Sequence, residues 1–263
     1  MRICIRDKKK KEIFVSLFQV FKNCTATINA TFEIEQLCIQ GLDKSHVCLF
    51  DTKIHKNWFA QYETTQEVLK LAFDANSFHS IISTKSENQH LIIETDDKSD
   101  DILLIYFVSE GVAEEKHKKE YKKSFKLPLS EYDYEEMHIP SVEYDAEFTL
   151  SSKEISDICS QLSNFGNDII IRCSNDNVTF TSHGLAGEMC VDIPVDDLMS
   201  YSVVEDEEIE LTYSLLYIHK ICITNKLSPD IEFLLSNECP MKIKYDLGNE
   251  SSLIFYIAPK SDE

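Results

Sequence analysis

Short apolar or alternating runs recur along the whole chain and predict a protein built mainly from β-strands. Each run is five to eight residues long and rich in β-branched or aromatic residues. That pattern is typical of strands with at least one buried face. Examples are residues 36–40, 46–51, 90–95, 101–108, 168–173, 177–182, 230–235, 241–246 and 252–258.

Four other segments have the spacing of amphipathic helices. The clearer two are residues 12–23 and 152–163, and the weaker two are residues 75–83 and 213–223. In the clearer pair, apolar residues fall at i, i+3, i+4 and i+7, which places them on one helical face. These residues are Phe14, Leu17, Phe18 and Phe21 in the first segment, and Ile155, Ile158, Cys159 and Leu162 in the second.

The same order of elements is predicted twice along the chain. The two helical sets differ by a constant shift of 141 positions, and the strand at 36–40 has the same offset from residues 177–181. A repeat of this kind indicates two structural units of like fold. We therefore predict an α+β fold with two similar β-rich domains, residues 1–127 and 146–263, each a sheet backed by two helices.

Residues 128–145 separate the two predicted domains. They contain two prolines, six acidic residues and few apolar residues, which predicts an extended interdomain connector. The segment is either a solvated linker or a docking edge, with Tyr132, Tyr134, Met137 and Ile139 as its apolar contacts.

Composition excludes several classes of protein. The 263 residues are 43% hydrophobic despite a formal charge of −20, which excludes a disordered acidic polymer. No apolar run approaches the roughly 18–20 residues of a membrane span, and the charged start lacks the apolar stretch of a secretory signal. The nine cysteines are never within four residues of one another. We interpret most of them as buried thiols in a reducing compartment.

Motifs for catalysis are missing from the sequence. It has no glycine-rich phosphate loop, no Gly-x-Ser-x-Gly elbow and no His-x-x-x-His pair. We expect no enzymatic activity, no cofactor and no metal site.

The 23 lysines, against three arginines, suggest a surface that contacts phosphate. Several lie on or beside the polar faces of the predicted helices. A lysine ammonium is a point charge without a fixed hydrogen-bond fork, which suits transient backbone contact better than base reading. The candidate DNA-binding residues are Lys10, Lys11, Lys22, Lys85, Lys153, Lys220 and Lys226.

Four segments resemble the proliferating cell nuclear antigen family of sliding clamps. Residues 37–50 include an Asp-x-Ser-His-Val core that is similar to the family's first-domain strand pair. Residues 137–140 and 162–168 resemble its Leu-Gly-Ile-Pro and Leu-Ser-x-Ile-Gly-Asp segments. Residues 255–260 resemble its Ala-Pro-Lys tail, and acidic residues follow here as they do in the family. The matches run in the expected order from end to end.

The resemblance implies the DNA-clamp fold and a ring of three identical subunits around duplex DNA. It also implies a processivity factor for DNA replication and repair that tethers DNA polymerase, flap nuclease and ligase and is placed on DNA by a clamp loader. Its expected location is the nucleus or the replication site of a virus. A cationic bore and an anionic exterior would reconcile the charge of −20 with DNA.

Two protein-binding surfaces follow from the same resemblance. Ring closure would pair residues 121–127 of one subunit with residues 187–193 of the next. The interface residues are Lys122, Lys123, Phe125, Lys126, Glu188, Val191 and Asp192. A pocket for client peptides would consist of Leu42, His46, Val47, Leu49, Met137, Ile139, Pro240, Tyr256, Ala258 and Pro259.

The sequence also departs from the family. Residues Val15, Ser16, Ser160 and Leu216 stand where basic residues are common, so we expect a divergent member with a sparse basic lining. Three alternatives stay open: a subunit of a heterotrimeric checkpoint-type clamp, a monomeric viral processivity factor that grips DNA electrostatically, and an acidic scaffold that binds only proteins.

Overall fold

A computed structural model describes residues 1–84, 88–96, 99–109, 121–204 and 208–260. The chain divides into two compact units. The first unit consists of Met1–Gly41, Asp51–Glu136 and Leu247–Ser252, and the second of Leu42–Phe50, Met137–Asp246 and Leu253–Glu263.

Both halves of the chain have the same succession of elements: a strand, a helix, three strands, a 3-10 turn, two strands, a helix and three strands. The first half contains β1 (Arg2–Ile5), α1 (Lys8–Cys24), β2 (Thr27–Glu33), β3 (Gln36–Leu42), β4 (Cys48–His55), the turn Lys56–Trp58, β5 (Gln61–Glu63), β6 (Val68–Asp74), α2 (Ala75–Ile82), β7 (Gln89–Asp96), β8 (Ser99–Ser109) and β9 (Lys123–Pro128). The second contains β10 (Ala146–Ser151), α3 (Ser152–Leu162), β11 (Asp168–Cys173), β12 (Asn177–Gly184), β13 (Gly187–Pro194), the turn Val195–Asp197, β14 (Ser200–Val203), β15 (Ile209–Ser214), α4 (Leu215–Ile221), β16 (Asp230–Leu235), β17 (Met241–Gly248) and β18 (Ser251–Ile257).

Corresponding strands also occupy corresponding places in the sheets. The first unit has the strand orders β5-β1-β7-β8-β9 and β4-β3-β2-β6. The second has the orders β14-β10-β16-β17-β18 and β13-β12-β11-β15. Thus β9 corresponds to β18, and β4 corresponds to β13. The predicted α+β fold with a doubled pattern of elements is confirmed.

An aromatic cluster fixes the helices of the first unit. Phe18 of α1 and Phe78 of α2 have ring centroids 4.5 Å apart, and Phe73 of β6 lies 4.6 Å from Phe78. Such ring pairs add to the free energy gained by burying apolar surface. The helix α1 begins four residues before the predicted start because the Asp7 carboxylate accepts a hydrogen bond from the Lys10 amide at 2.8 Å.

Helices of the second unit bury the face that their spacing predicted. In α3, Ile155, Cys159 and Leu162 are buried, and α3 packs against the short helix α4. A hydrogen bond with Cys222, together with burial, raises the pKa of the Cys159 thiol, so the Cys159 thiol stays protonated. Within the described ranges, no helix is both long and apolar enough to cross a membrane.

Several strands lie outside the predicted apolar runs. Strand β5 has three residues and β14 has four, and both lie at an end of their sheet. Their side chains are exposed or half-buried, so they lack the strong alternation of strands that cover a core. Six of the nine cysteines are buried, while Cys190 on β13 is exposed.

Candidate functional site

The second unit contains all ten residues of the predicted peptide pocket. The Ala258 amide donates to the Val47 carbonyl at 3.0 Å, which joins the chain's tail to the loop before β4. Beneath them the rings of Phe50 and Phe255 have centroids 6.5 Å apart. The structure thus brings the tail and the loop together.

Partial exposure distinguishes these ten residues from the core. His46, Met137, Pro240 and Pro259 are exposed, and the side chains of Leu42, Val47, Leu49, Ile139, Tyr256 and Ala258 are half-buried. Apolar side chains that share one unit and reach solvent together are typical of a protein-binding surface.

Asp43 organises the loop of residues 43–48. Its carboxylate accepts hydrogen bonds from the amides of Ser45 at 2.8 Å, Val47 at 2.7 Å and Cys48 at 2.7 Å. Asp43 is only 5% exposed. The loop also holds His46 at φ 59°, in the left-handed region that residues other than glycine rarely adopt.

A tyrosine of α4 completes the set of donors to Asp43. The Tyr217 hydroxyl donates to Asp43 Oδ2 at 2.8 Å. Burial raises the pKa of the Asp43 carboxyl, but the hydrogen bonds from Cys48, Ser45, Tyr217 and Val47 outweigh it and hold the pKa below its ordinary value. Asp43 is therefore an anion at neutral pH.

Sequence reasoning missed the roles of Asp43 and Tyr217. Asp43 preceded a serine and a histidine in the quoted motif, and an Asp at that spacing is a known turn former, so a local signal existed. Tyr217 gave no such signal because its partner is 174 positions away.

Two of the four proposed connector contacts are directed into the first unit. The Tyr132 hydroxyl lies 3.2 Å from Thr31 Oγ1, and the Tyr134 hydroxyl donates to Gln40 Oε1 at 2.9 Å. Both tyrosines are half-buried. They anchor the connector to its own unit, which corrects the suggestion that they form an outward docking edge.

The predicted interface residues lie on two sheet edges. Strand β9 ends the order of the first unit's larger sheet, and β13 ends that of the second unit's smaller sheet. On β9, Lys126 is exposed and Phe125 packs against Phe107, with centroids 6.1 Å apart. Lys122 and Lys123 flank the start of that strand, and their ammonium groups lie over the rings of Tyr106 and Phe107.

Strand β13 separates charged from apolar side chains. Glu188 and Asp192 are exposed and, being four residues apart, lie on one face. Val191 is half-buried on the other face. The two edges therefore carry opposite charges, positive on β9 and negative on β13.

Two of the predicted DNA-binding lysines are engaged inside the first unit. Lys11 is buried and its ammonium donates to the Gln89 carbonyl at 2.8 Å. The ammonium of Lys10 donates to the Trp58 carbonyl at 2.7 Å and lies 5.4 Å from the centre of the indole ring. Lys11 is removed from the candidate DNA-binding residues because its ammonium is buried in a hydrogen bond within the first unit. Lys10 is half-buried, and its ammonium is also engaged by a carbonyl of that unit.

The remaining described candidates reach the surface. Lys153 and Lys226 are exposed, while Lys22 and Lys220 are half-buried. Lys22 Nζ lies 3.2 Å from His79 Nδ1. Burial is the larger cause, and the positive charge of Lys22 the smaller cause, of a lowered pKa of His79. Lys85 lies outside the described residues.

The departures from the family's basic lining differ in exposure. Leu216 is 57% exposed and Ser160 is exposed, so a basic residue there would have reached solvent. Ser16 is buried, and Val15 is half-buried. The exposed Leu216 and Ser160 are therefore the two departures that make the surface less basic.

The doubled order of strands and helices, with its two charged sheet edges, defines a two-domain clamp fold. Comparison with a solved structure, PCNA from Thermococcus kodakaraensis, gives a TM-score of 0.85 at 17% identity, covering 98% of this chain and 99% of that chain. Residues 7–136 match the sequence model for the proliferating cell nuclear antigen N-terminal domain, and residues 138–260 match that for the C-terminal domain. The chain belongs to the proliferating cell nuclear antigen family.

Two curated relatives agree with that assignment. The chain is 25% identical to "Proliferating cell nuclear antigen" of Chaetomium thermophilum over 257 residues, 96% of each chain. It is 24% identical to the "Probable DNA polymerase sliding clamp" of Autographa californica nuclear polyhedrosis virus over 255 residues, 96% of this chain and 94% of that protein.

Proposed function

We propose that this protein is a sliding clamp without enzymatic activity, in which three copies close into a ring around duplex DNA. The main support is that the edge strands β9 and β13 are the counterparts of two strands whose ends already meet within one chain. In the second unit, Val47 just before β4 accepts a hydrogen bond from Ala258 just after β18. Strand β13 is the counterpart of β4, and β9 is the counterpart of β18. Pairing β9 of one copy with β13 of the next would therefore repeat the arrangement of Val47 and Ala258 between two copies. It would also cover the β9 edge and the β13 edge.

Side-chain chemistry supports that pairing. An antiparallel alignment would place Lys122 and Lys126 opposite Glu188 and Asp192 on one face. On the other face, Phe125 would then lie opposite the half-buried Met189, with Val191 as its diagonal neighbour. Ring closure in this form is heterologous, since each copy contributes a different edge to each of its two interfaces.

Retention on DNA would depend on topology. The exposed ammonium groups of Lys153 and Lys226 supply a modest attraction for phosphates, while the chain as a whole carries −20. A closed ring cannot leave a duplex sideways, so weak contacts allow sliding without loss. The anionic remainder of the surface would keep the duplex away from the exterior.

The pocket would tether enzymes to the ring. Client peptides with aliphatic and aromatic anchors would enter between the loop of residues 43–48, Ile139 and Tyr256, where buried anchors dominate affinity. Tethering raises a partner's effective concentration at DNA to about the millimolar range. We propose DNA polymerase, flap nuclease, ligase and a clamp loader as partners, at nuclear or viral replication sites.

Solution mass and retention on DNA test the ring. We expect about three times the chain mass of 30.3 kDa, and retention on nicked circular duplex that disappears when the circle is cut. A single-chain mass with tight binding to linear DNA would favour the gripping processivity factor. A single-chain mass without DNA binding would favour the protein scaffold, and a ring that forms only with other clamp-like chains would favour the checkpoint type.

A double variant tests the pocket. Ile139→Ala with Tyr256→Ala should abolish binding of an anchor-bearing peptide while the ring stays assembled, because both side chains are half-buried at the pocket and distant in sequence from the β9 and β13 edges. Val142→Ala, an exposed apolar residue of the connector, is the matched control and should bind normally. Undiminished affinity in the double variant would contradict the site.

A further inference from the structure

The side chain of Tyr217 ties the loop that forms one wall of the proposed pocket to helix α4. We propose that Tyr217 of α4 is a positioning residue: its hydroxyl holds the Asp43 carboxylate so that the loop presents His46 and Val47 to a client peptide. This inference rests on the proposed function, since it names a residue that shapes the same pocket without lining it.

The loop depends on its carboxylate. Asp43 Oδ1 accepts from the amides of Val47 and Cys48, while Oδ2 accepts from the amide of Ser45 and the hydroxyl of Tyr217. Hydrogen bonds to an ionised acceptor are roughly twice as strong as neutral ones. The left-handed backbone of His46 persists only when surrounding contacts fix it.

Tyr217 is a donor fixed in space. Its helix is anchored by the buried side chains of Leu215, Ile218 and Ile221. A hydrogen bond with Ser45 lowers the pKa of the Tyr217 phenol, but burial and the Asp43 carboxylate outweigh it, so the pKa is raised and the hydroxyl keeps its proton. The same helix carries Lys220, whose ammonium lies 5.6 Å from the Tyr217 ring. The pocket loop is thereby braced by the helix that also carries Lys220, one of the candidate DNA-binding residues.

Tyr217→Phe isolates the hydroxyl because it keeps the ring and its packing. The probe is a fluorescein-labelled peptide with aliphatic and aromatic anchors, and the measurement is fluorescence anisotropy. We expect affinity to fall about tenfold, which corresponds to the loss of one hydrogen bond to a charged group. Tyr201→Phe is the matched control, since the Tyr201 hydroxyl donates to the Ser174 carbonyl at 2.5 Å elsewhere in the unit. It should leave peptide affinity unchanged.

A second measurement follows the loop without peptide. In Tyr217→Phe, amide exchange at Ser45, Val47 and Cys48 should accelerate, and the pKa of Asp43, followed by its side-chain carbon shift, should rise. The sign follows from the lowered pKa in the folded protein. Such a carboxylate stabilises the fold above its unfolded pKa, and that stabilisation is lost as pH falls through the folded pKa. Without the Tyr217 hydroxyl this stabilisation should be smaller, and its loss should be complete at a higher pH.

The outcomes separate this inference from the proposed function. Equal peptide affinity in wild type and Tyr217→Phe overturns the positioning role, whether or not exchange in the loop changes. Weaker affinity in both Tyr217→Phe and Tyr201→Phe also overturns it, because the effect would then be general. If wild type itself fails to bind the peptide, the proposed pocket is overturned, and loop exchange alone decides whether Tyr217 holds the loop.

Discussion

Individual lysines differ in function according to whether their ammonium groups are buried or exposed to solvent. Lys11 ends the run of four lysines that begins α1, yet it is 8% exposed and its ammonium donates to the Gln89 carbonyl. Lys153 lies in the first turn of α3 and is exposed. A buried ammonium with a hydrogen-bond partner supports the fold, whereas an exposed one is available to phosphate.

Lys11→Met should therefore destabilise the protein and leave DNA binding intact. The substitution keeps the apolar stem but leaves the Gln89 carbonyl without this donor, which costs about 1–3 kcal/mol of unfolding free energy. Lys153→Met should show the reverse, with unchanged urea unfolding and weaker binding of linear duplex. A loss of DNA affinity in Lys11→Met, with its stability unchanged, would contradict the assignment.

Sequence periodicity predicted the residues that face a core but not the residues that meet across the fold. Phe14, Phe18 and Phe21 are buried, as their spacing indicated. The contacts of Trp58 with Lys10 and of Tyr217 with Asp43 join residues 48 and 174 positions apart. No local pattern encodes such pairs, because they depend on how strands and helices are arranged in space.

At the scale of elements, the helices and strands such as β8, β11 and β16 were predictable because their buried positions follow a regular spacing. Short strands at sheet ends, such as β14, were missed because little of their surface is buried. The positions of β9 and β13 at sheet ends came from family resemblance, and the strand orders place both there. The charge contrast between these two strands carries the argument for ring closure.

Charge reversal on β9 tests that contrast. Lys122→Glu with Lys126→Glu would place like charges opposite Glu188 and Asp192, and each unfavourable cross-strand pair costs about 0.2–1 kcal/mol. We expect the ring to dissociate at concentrations where wild type is trimeric, as measured by light scattering. Adding Glu188→Lys and Asp192→Lys in the same chain should restore the trimer, because every interface then regains opposite charges.

Matched reversals at sites away from both edges provide the control. Lys9→Glu in α1 together with Lys53→Glu in β4 reverses two exposed lysines, the same total change in charge, and should leave the oligomeric mass unchanged. If the fourfold variant stays monomeric while remaining folded, charge pairing between β9 and β13 does not set the interface.

For the whole molecule, the proposed ring separates retention from affinity. A protein that grips DNA electrostatically loses affinity steeply as salt is added. The slope of log affinity against log salt concentration is about −0.9 for each phosphate that the protein neutralises. This chain offers few exposed lysines on or beside its helices, and Leu216 and Ser160 stand where a basic residue would have reached solvent. Encirclement removes the need for a tight grip.

Salt should therefore affect linear and circular DNA differently. Between about 50 and 200 mM salt, binding to linear duplex should vanish, because phosphate contacts are screened. Rings loaded on nicked circles should remain over the same range, as measured by co-elution on gel filtration, provided that light scattering shows an intact trimer. If complexes on circles and linear DNA dissociate together while the trimer is intact, then retention comes from phosphate contacts. The duplex would then lie against the protein surface instead of passing through a closed ring.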